Sequence, residues 1–169
     1  MSHNAYTGFL VVGDISGYTS YVATTELAHS QEVLAELLEL IVHHIRPVLA
    51  LVRLEGDAVF AHAPAEHVSR GESLIEVLEA TYTAFRDRLK SIARNNLCGC
   101  RACAAVPTLD LKFLVHYGEY TVQPTDAGHV VLGGLDARLV RDRLIKDQVG
   151  DGSRSYALFT EASLEQMGL

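Results

Sequence analysis

Asp14 and Asp57 stand 43 positions apart, each beside glycine, in Gly13-Asp14-Ile15-Ser16-Gly17 and Glu55-Gly56-Asp57. Asp14 closes an apolar run and Asp57 sits in a turn. Two carboxylates brought together repel unless a cation neutralises them. Hard divalent ions such as Mg²⁺ take oxygen ligands of this kind and keep positions open for phosphate oxygens. The backbone N–H groups of Ser16-Gly17-Tyr18-Thr19, where a strand gives way to a helix, would form an anion cradle. Asp before Gly is also an ordinary turn residue, and Gly-Asp an ordinary hairpin tip. Residue type alone therefore does not separate a metal site from two turns.

The second constellation is Cys98-Gly99-Cys100-Arg101-Ala102-Cys103. Three thiolates in one loop can share a Zn²⁺, with a fourth ligand from a histidine or a partner chain. Eight histidines are available, among them His43, His44, His62 and His67. Two other readings stay open: thiols acting as small hydrophobes, and a redox-sensing pair. His43 and His44 are helix neighbours and cannot both face one point. Glu26, Glu32, Glu36 and Glu39 read as a solvated helix face. Arg138, Arg141, Arg143 and Lys146 either meet a phosphate across a dimer interface or form a solvated face beside Asp136, Asp142 and Asp147.

These groups need elements to position them. Residues 9–15 read as a strand buried on both faces. Ser30 is placed to cap a helix over residues 31–49, whose apolar positions recur at three- and four-residue steps. Residues 49–54 and 58–61 read as a hairpin turning at 55–57. A second amphipathic helix covers 74–94, followed by the Cys-rich connection. Residues 109–117 alternate as a strand covered on one face, continued over 119–122. A turn at 126–128 leads to a strand over 129–132. A helix over 136–146, a strand over 156–159 and a short terminal helix capped by Thr160 complete the order. That order, β-α-β-β-α-β-β-α-β-α, predicts an α+β sandwich with a ferredoxin-like core.

The chain has 169 residues, 49% hydrophobic and 21% charged, which fits one folded domain over residues 1–169. The net charge of −7 and the absence of Trp argue against a nucleic-acid partner. No signal peptide is visible, and charged residues and Pro47 interrupt the apolar region over residues 34–54, so no membrane partner is expected. Three clustered cysteines suit a reducing compartment, the cytoplasm.

Gly13-Asp14-Ile15-Ser16-Gly17-Tyr18-Thr19 resembles the D-I-x-G-[FY]-T motif of class III nucleotidyl cyclases. Arg53-Leu54-Glu55-Gly56-Asp57 resembles their K-x-x-G-D hairpin, and His116-Tyr117-Gly118-Glu119 their H-x-G-E strand. Gly133-Gly134 and the helix after it occupy the place of their G-x-x-V-N-x-A-x-R-L segment. The Thr25-Glu26-Leu27-Ala28-His29-Ser30 helix start and the Cys-rich connection are similar to an uncharacterised bacterial branch of that superfamily. The resemblance implies a sandwich of the cyclase catalytic type, acting on a nucleoside triphosphate (ATP or GTP) as a homodimer. It implies a two-ion Mg²⁺ or Mn²⁺ site held by Asp14, Asp57 and the Ile15 carbonyl. The N–H groups of Gly17, Tyr18 and Thr19 would hold phosphates, Arg53 would meet the purine, and Arg138 or Arg141 would face the phosphates.

The departures are specific. Arg53 replaces the Lys of adenylyl cyclases or the Glu of guanylyl cyclases. Val130 or Val131 falls where a second purine contact is polar. Ala137 or Arg138 falls on the ribose-orienting Asn, depending on register. These departures keep a second reading beside the enzyme: a non-catalytic homodimeric module that binds nucleotide or metal.

Overall fold

The computed structural model describes residues 4–124, 130–133 and 155–169. Its strands are β1 (Asn4–Ser16), β2 (Ala50–Glu55), β3 (Ala58–Pro64), β4 (Asp110–Pro124), β5 (Val130–Gly133) and β6 (Ala157–Phe159). Its helices are α1 (Tyr18–Thr24), α2 (Leu27–Ile45), α3 (Gly71–Arg94), α4 (Arg101–Ala105) and α5 (Glu161–Met167).

The sheet order is β2-β3-β1-β4-β5, antiparallel throughout, with β6 lying parallel to β4. The first four strands, with α2 and α3 as the two crossover helices, reproduce the ferredoxin-like order expected from the sequence. β1 is central, pairing with β3 on one side and β4 on the other. As a central strand it is apolar on both faces, and Phe9, Leu10, Val11, Val12 and Ile15 are all buried.

Period-two alternation separates the two faces. Phe9, Val11, Ile15, Val59, Ala61, Leu111, Phe113 and Val115 join the cluster formed with Leu37, Ile41, Leu74, Leu78 and Phe85 of α2 and α3. Asp14, Ser16 and Lys112 fall on the opposite face. So the helices cover one side, and the polar groups that could do chemistry lie on the other.

Several boundaries differ from the expectation. α2 begins at Leu27, and Ser30 is inside it: its N–H donates to the Glu26 carbonyl and its Oγ donates back to the Leu27 carbonyl. A serine that bonds the preceding turn extends a helix rather than starting one. The same helix ends at Ile45, ahead of Pro47. α1 starts at the strand-to-helix junction expected over residues 16–19 but has only seven residues, and α4 was not expected, because a helix of five residues carries no full apolar stripe. Thr160 caps α5 as expected, accepting from the Ser163 N–H. The turn at 126–128 and the helix over 136–146 lie outside the described residues. Among the described residues, no helix is long and apolar enough to cross a membrane.

Candidate functional site

Register puts the carboxylates together. Asp14 pairs with Ala58 on β3, so the β2–β3 turn that carries Asp57 meets the end of β1. The Ile15 N–H donates to the Asp57 carbonyl at 3.0 Å and locks that approach. Gly56 takes φ +60, which keeps the turn short. On the other side of β1, Asp14 pairs with Lys112. The Lys112 ammonium donates to Asp14 Oδ2 at 2.8 Å, with both side chains about four-fifths covered.

The electrostatics follow from that arrangement. Burial, then the negative charge of Asp14, push the Asp57 carboxyl above its ordinary value, with Asp57's own N–H and Lys112 offsetting part of the rise. Burial alone would lower Lys112, but the hydrogen bond and charge of Asp14, then Tyr156 and Asp57, raise it overall. Two carboxylates and one ammonium leave the cluster with net negative charge. Ser16 Oγ, two positions along β1 from Asp14, and Arg53 Nε, on β2, are buried without a hydrogen-bond partner among the described residues. Buried polar atoms are ordinarily satisfied, so orphaned ones point to a polar ligand.

Arg53 lies opposite Phe60 in the hairpin, with its guanidinium 4.8 Å from the ring centroid and 3.0 Å from Glu55. Its guanidinium is held over an aromatic face by a cation–π contact. Gly17 has φ +82 and starts α1, its carbonyl accepting from the Tyr21 N–H. A Cβ there would lie 3.0 Å from the Thr108 carbonyl oxygen, so both conformation and space require glycine. The Tyr18 hydroxyl accepts from Gln31 Nε2 at 2.8 Å, and Thr19 is exposed. Arg138 and Arg141 lie outside the described residues; of Val130 and Val131, only the backbone pairing of β5 is described.

One residue missed from the sequence is Lys112. Its signal was a lone cation within the apolar alternation of β4, in register with Asp14. His116, on the same strand, contacts Thr160 Oγ1 at 3.0 Å.

The thiols converge elsewhere. The ligand atoms of Cys98, Cys100, Cys103 and His29 all lie within 4.8 Å of one another. The histidine is none of the four considered above. His44 Nδ1 meets the Leu40 carbonyl and His62 Nδ1 the Tyr120 hydroxyl, whereas His29 is brought to the thiols by the first turn of α2. Cys100 is pulled down to about 6, chiefly by the Cys103 N–H, then by Cys98 and His29. Burial, then Cys100 and Cys98, push Cys103 up to about 12. Glu26 is no solvated bystander: its carboxylate accepts the Ala102 N–H at 2.9 Å and pairs with Arg101. Glu36 likewise pairs with Arg88.

The same architecture occurs in solved cyclases. The guanylyl cyclase Cya2 matches with a TM-score of 0.73 at 14% identity, covering 99% of this chain and 81% of that one. The adenylyl cyclase CyaB from P. aeruginosa matches at 0.72 and 12%, covering 99% and 83%. A bacterial light-regulated adenylyl cyclase matches at 0.70 and 15%, covering 98% of this chain and 46% of that one. At these identities the likeness establishes the fold, that of a nucleotidyl cyclase catalytic domain. An uncharacterised protein of Mycobacterium tuberculosis, Rv2561/Rv2562, is 32% identical over 116 residues, or 69% of this chain. The chain spans about half (52%) of the length of that curated relative. Residues 34–153 match the family described as a protein of unknown function, DUF2652, and the chain belongs to that family.

Proposed function

We propose that this domain binds a purine nucleoside triphosphate with divalent metal and acts as a nucleotidyl cyclase, forming a 3′,5′-cyclic nucleotide and pyrophosphate. The observation that carries the reading is the register that sets Asp57 beside Asp14: Asp14 pairs with Ala58, and the Ile15 N–H donates to the Asp57 carbonyl at 3.0 Å. Crowded carboxylates of that kind fit a hard divalent cation. Mg²⁺ or Mn²⁺ bound there would polarise phosphate oxygens and neutralise developing charge.

In this reading Asp14, Asp57 and the Ile15 carbonyl are the ligands. Lys112 fixes the Asp14 carboxylate and keeps one positive charge beside the phosphates. The N–H groups of Gly17, Tyr18 and Thr19 hold phosphate oxygens, and Ser16 Oγ gains the partner it lacks. Arg53 has only donors, so it selects the acceptor edge of a purine. The ribose 3′-oxygen bonds to the α-phosphorus, the bond to pyrophosphate breaks, and the hydroxyl proton passes to Asp14. Arg138 or Arg141 completes the phosphate contacts. The sheet face opposite α2 and α3 meets a second copy, so the unit is a homodimer.

A second reading, a binding module without turnover, is favoured by one specific observation: Lys112 already neutralises Asp14. Incubating the protein with Mn²⁺ and ATP or GTP separates the two. The first reading expects cyclic product that falls at least about a hundredfold in Asp57→Ala. No product with either nucleotide, together with a melting temperature raised by Mn²⁺ and nucleotide, assigns the module instead.

A further inference from the structure

We propose that Cys98, Cys100, Cys103 and His29 form a tetrahedral zinc site that staples the α3–β4 connection to the first turn of α2. The site shares no residue with the Asp14/Asp57 cluster and does not rest on the cyclase reading.

The four groups converge as a ligand set would, with spacings that bracket the tetrahedral ones. A zinc ion with Zn–S of about 2.3 Å and Zn–N of about 2.0 Å spaces its ligands about 3.6–3.8 Å apart. Here His29 Nδ1 lies 3.1 Å from Cys100 Sγ and 3.9 Å from Cys98 Sγ. Cys98 Sγ lies 3.0 Å from Cys100 Sγ and 3.6 Å from Cys103 Sγ. A disulfide would engage two of the sulfurs and leave the third thiol and the imidazole unexplained. Three thiolates and one imidazole complete the coordination of zinc, which leaves no open position and makes the site structural.

The surroundings are built to present these ligands. Gly99 takes φ +64, which turns the chain between Cys98 and Cys100. Asn96 Oδ1 accepts the Gly99 N–H at 3.0 Å and holds that turn. The Cys103 N–H points at Cys100 Sγ at 3.4 Å, an outer-shell contact that orients a ligand sulfur. Ala102, between two ligands, is clamped from both sides: its N–H by Glu26 and its carbonyl by the Tyr21 hydroxyl at 3.0 Å.

The need for a staple is also visible. α4 has five residues, too few to persist as a helix on its own. Leu97, ahead of α4, is fully exposed, so the Cys98 side of the loop gains little from apolar burial, while Ala102 and Val106 anchor α4 and its exit in the core. Metal ligation supplies the missing anchor across 69 positions of sequence, from His29 to Cys98.

The test uses the full chain, purified under reducing conditions without added metal. The proposal expects about one zinc per chain by elemental analysis, released when a mercurial titrates the thiols. Co²⁺ taken up in its place would give the intense visible bands of tetrahedral thiolate coordination. His29→Ala would weaken metal binding at least about tenfold. His29→Cys would keep the metal and shift the cobalt bands to those of four thiolates. Asp57→Ala would leave zinc content unchanged, so loss of the cyclase reading and loss of this site are distinguishable. Reduced wild-type protein that binds no stoichiometric Co²⁺ overturns the proposal. So does zinc content that survives in Cys98→Ser/Cys103→Ser, an adventitious ion only.

Discussion

The two polar clusters of this molecule solve opposite problems. The Asp14/Asp57/Lys112 cluster is hard, oxygen-rich and partly neutralised by a cation of the protein's own. The His29/Cys98/Cys100/Cys103 cluster is soft, with no cation of the chain among its four ligand groups. The first sits where two strands and a hairpin turn are fixed by a ladder of backbone hydrogen bonds. The second sits on a connection whose own structure is one short helix and one turn. A rigid frame can hold a weakly bound, exchangeable ion, whereas a loose connection needs a permanent one. The difference teaches that metal dependence would mean catalysis at one cluster and folding at the other.

Chelation separates them most sharply. Removing zinc from the thiol cluster costs the chain about 3 kcal/mol or more, seen as a fall of roughly 6–12 °C in melting temperature. Removing Mg²⁺ or Mn²⁺ alone, with a weaker chelator, leaves the melting temperature of the nucleotide-free protein within about a degree of its starting value. Calorimetry with the two chelators reads both. Equal responses would erase the distinction between the clusters.

The carboxylate cluster makes a paired prediction of opposite signs. Lys112→Met leaves Asp14 without its ammonium and costs about 2 kcal/mol at pH 7, partly restored by Mn²⁺. Asp57→Asn does the reverse. Folding raises the Asp57 pKa, so its charge costs nothing below the unfolded value near 3.8, and the cost grows as pH rises toward the folded value. Asn carries no such cost. The variant therefore melts higher than wild type at pH 7 and equal to it near pH 3, and Mn²⁺ with nucleotide no longer raises its melting temperature. Melting curves across that range check both variants. A destabilised Asp57→Asn at pH 7 would show that the crowding of carboxylates is relieved within the protein.

The same contrast explains what was legible in advance. Asp14 and Asp57 were readable because each lies in a local pattern, a buried strand end and a hairpin tip, and antiparallel pairing brings such features together. The long elements were readable for the same reason: α2, α3 and β4 carry sustained 3.6- or 2-residue periods. Lys112 was hidden because its partner is set by register, which one strand does not specify. His29 was hidden more deeply. It is one histidine among eight, 69 positions from Cys98, and only the packing of α2 against α4 brings it to the thiols. The start of α2 was misplaced because Ser30 has the chemistry of a cap, while the position belongs to Glu26.

Glu26 supplies the smallest and most local prediction. Its own N–H, then the Ala102 N–H, hold its carboxylate down at about 2. A depressed carboxylate contributes stability that is present above its unfolded value near 4.5 and lost as pH falls through the folded value. The group is exposed, so Glu26→Gln shifts the global melting point by about a degree or less. Its effect is concentrated on α4 instead. The Ala102 amide, which donates to Glu26, exchanges its hydrogen faster in the variant at neutral pH, and wild type approaches the variant only below about pH 3. With zinc bound, His29 and the thiols hold α4 independently of Glu26, so the acceleration is small. After chelation Glu26, Tyr21 and the burial of Ala102 hold it without the metal, and the difference between Gln and Glu widens. An Ala102 exchange rate indifferent to metal would show that the carboxylate, rather than the four-ligand cluster, anchors this connection.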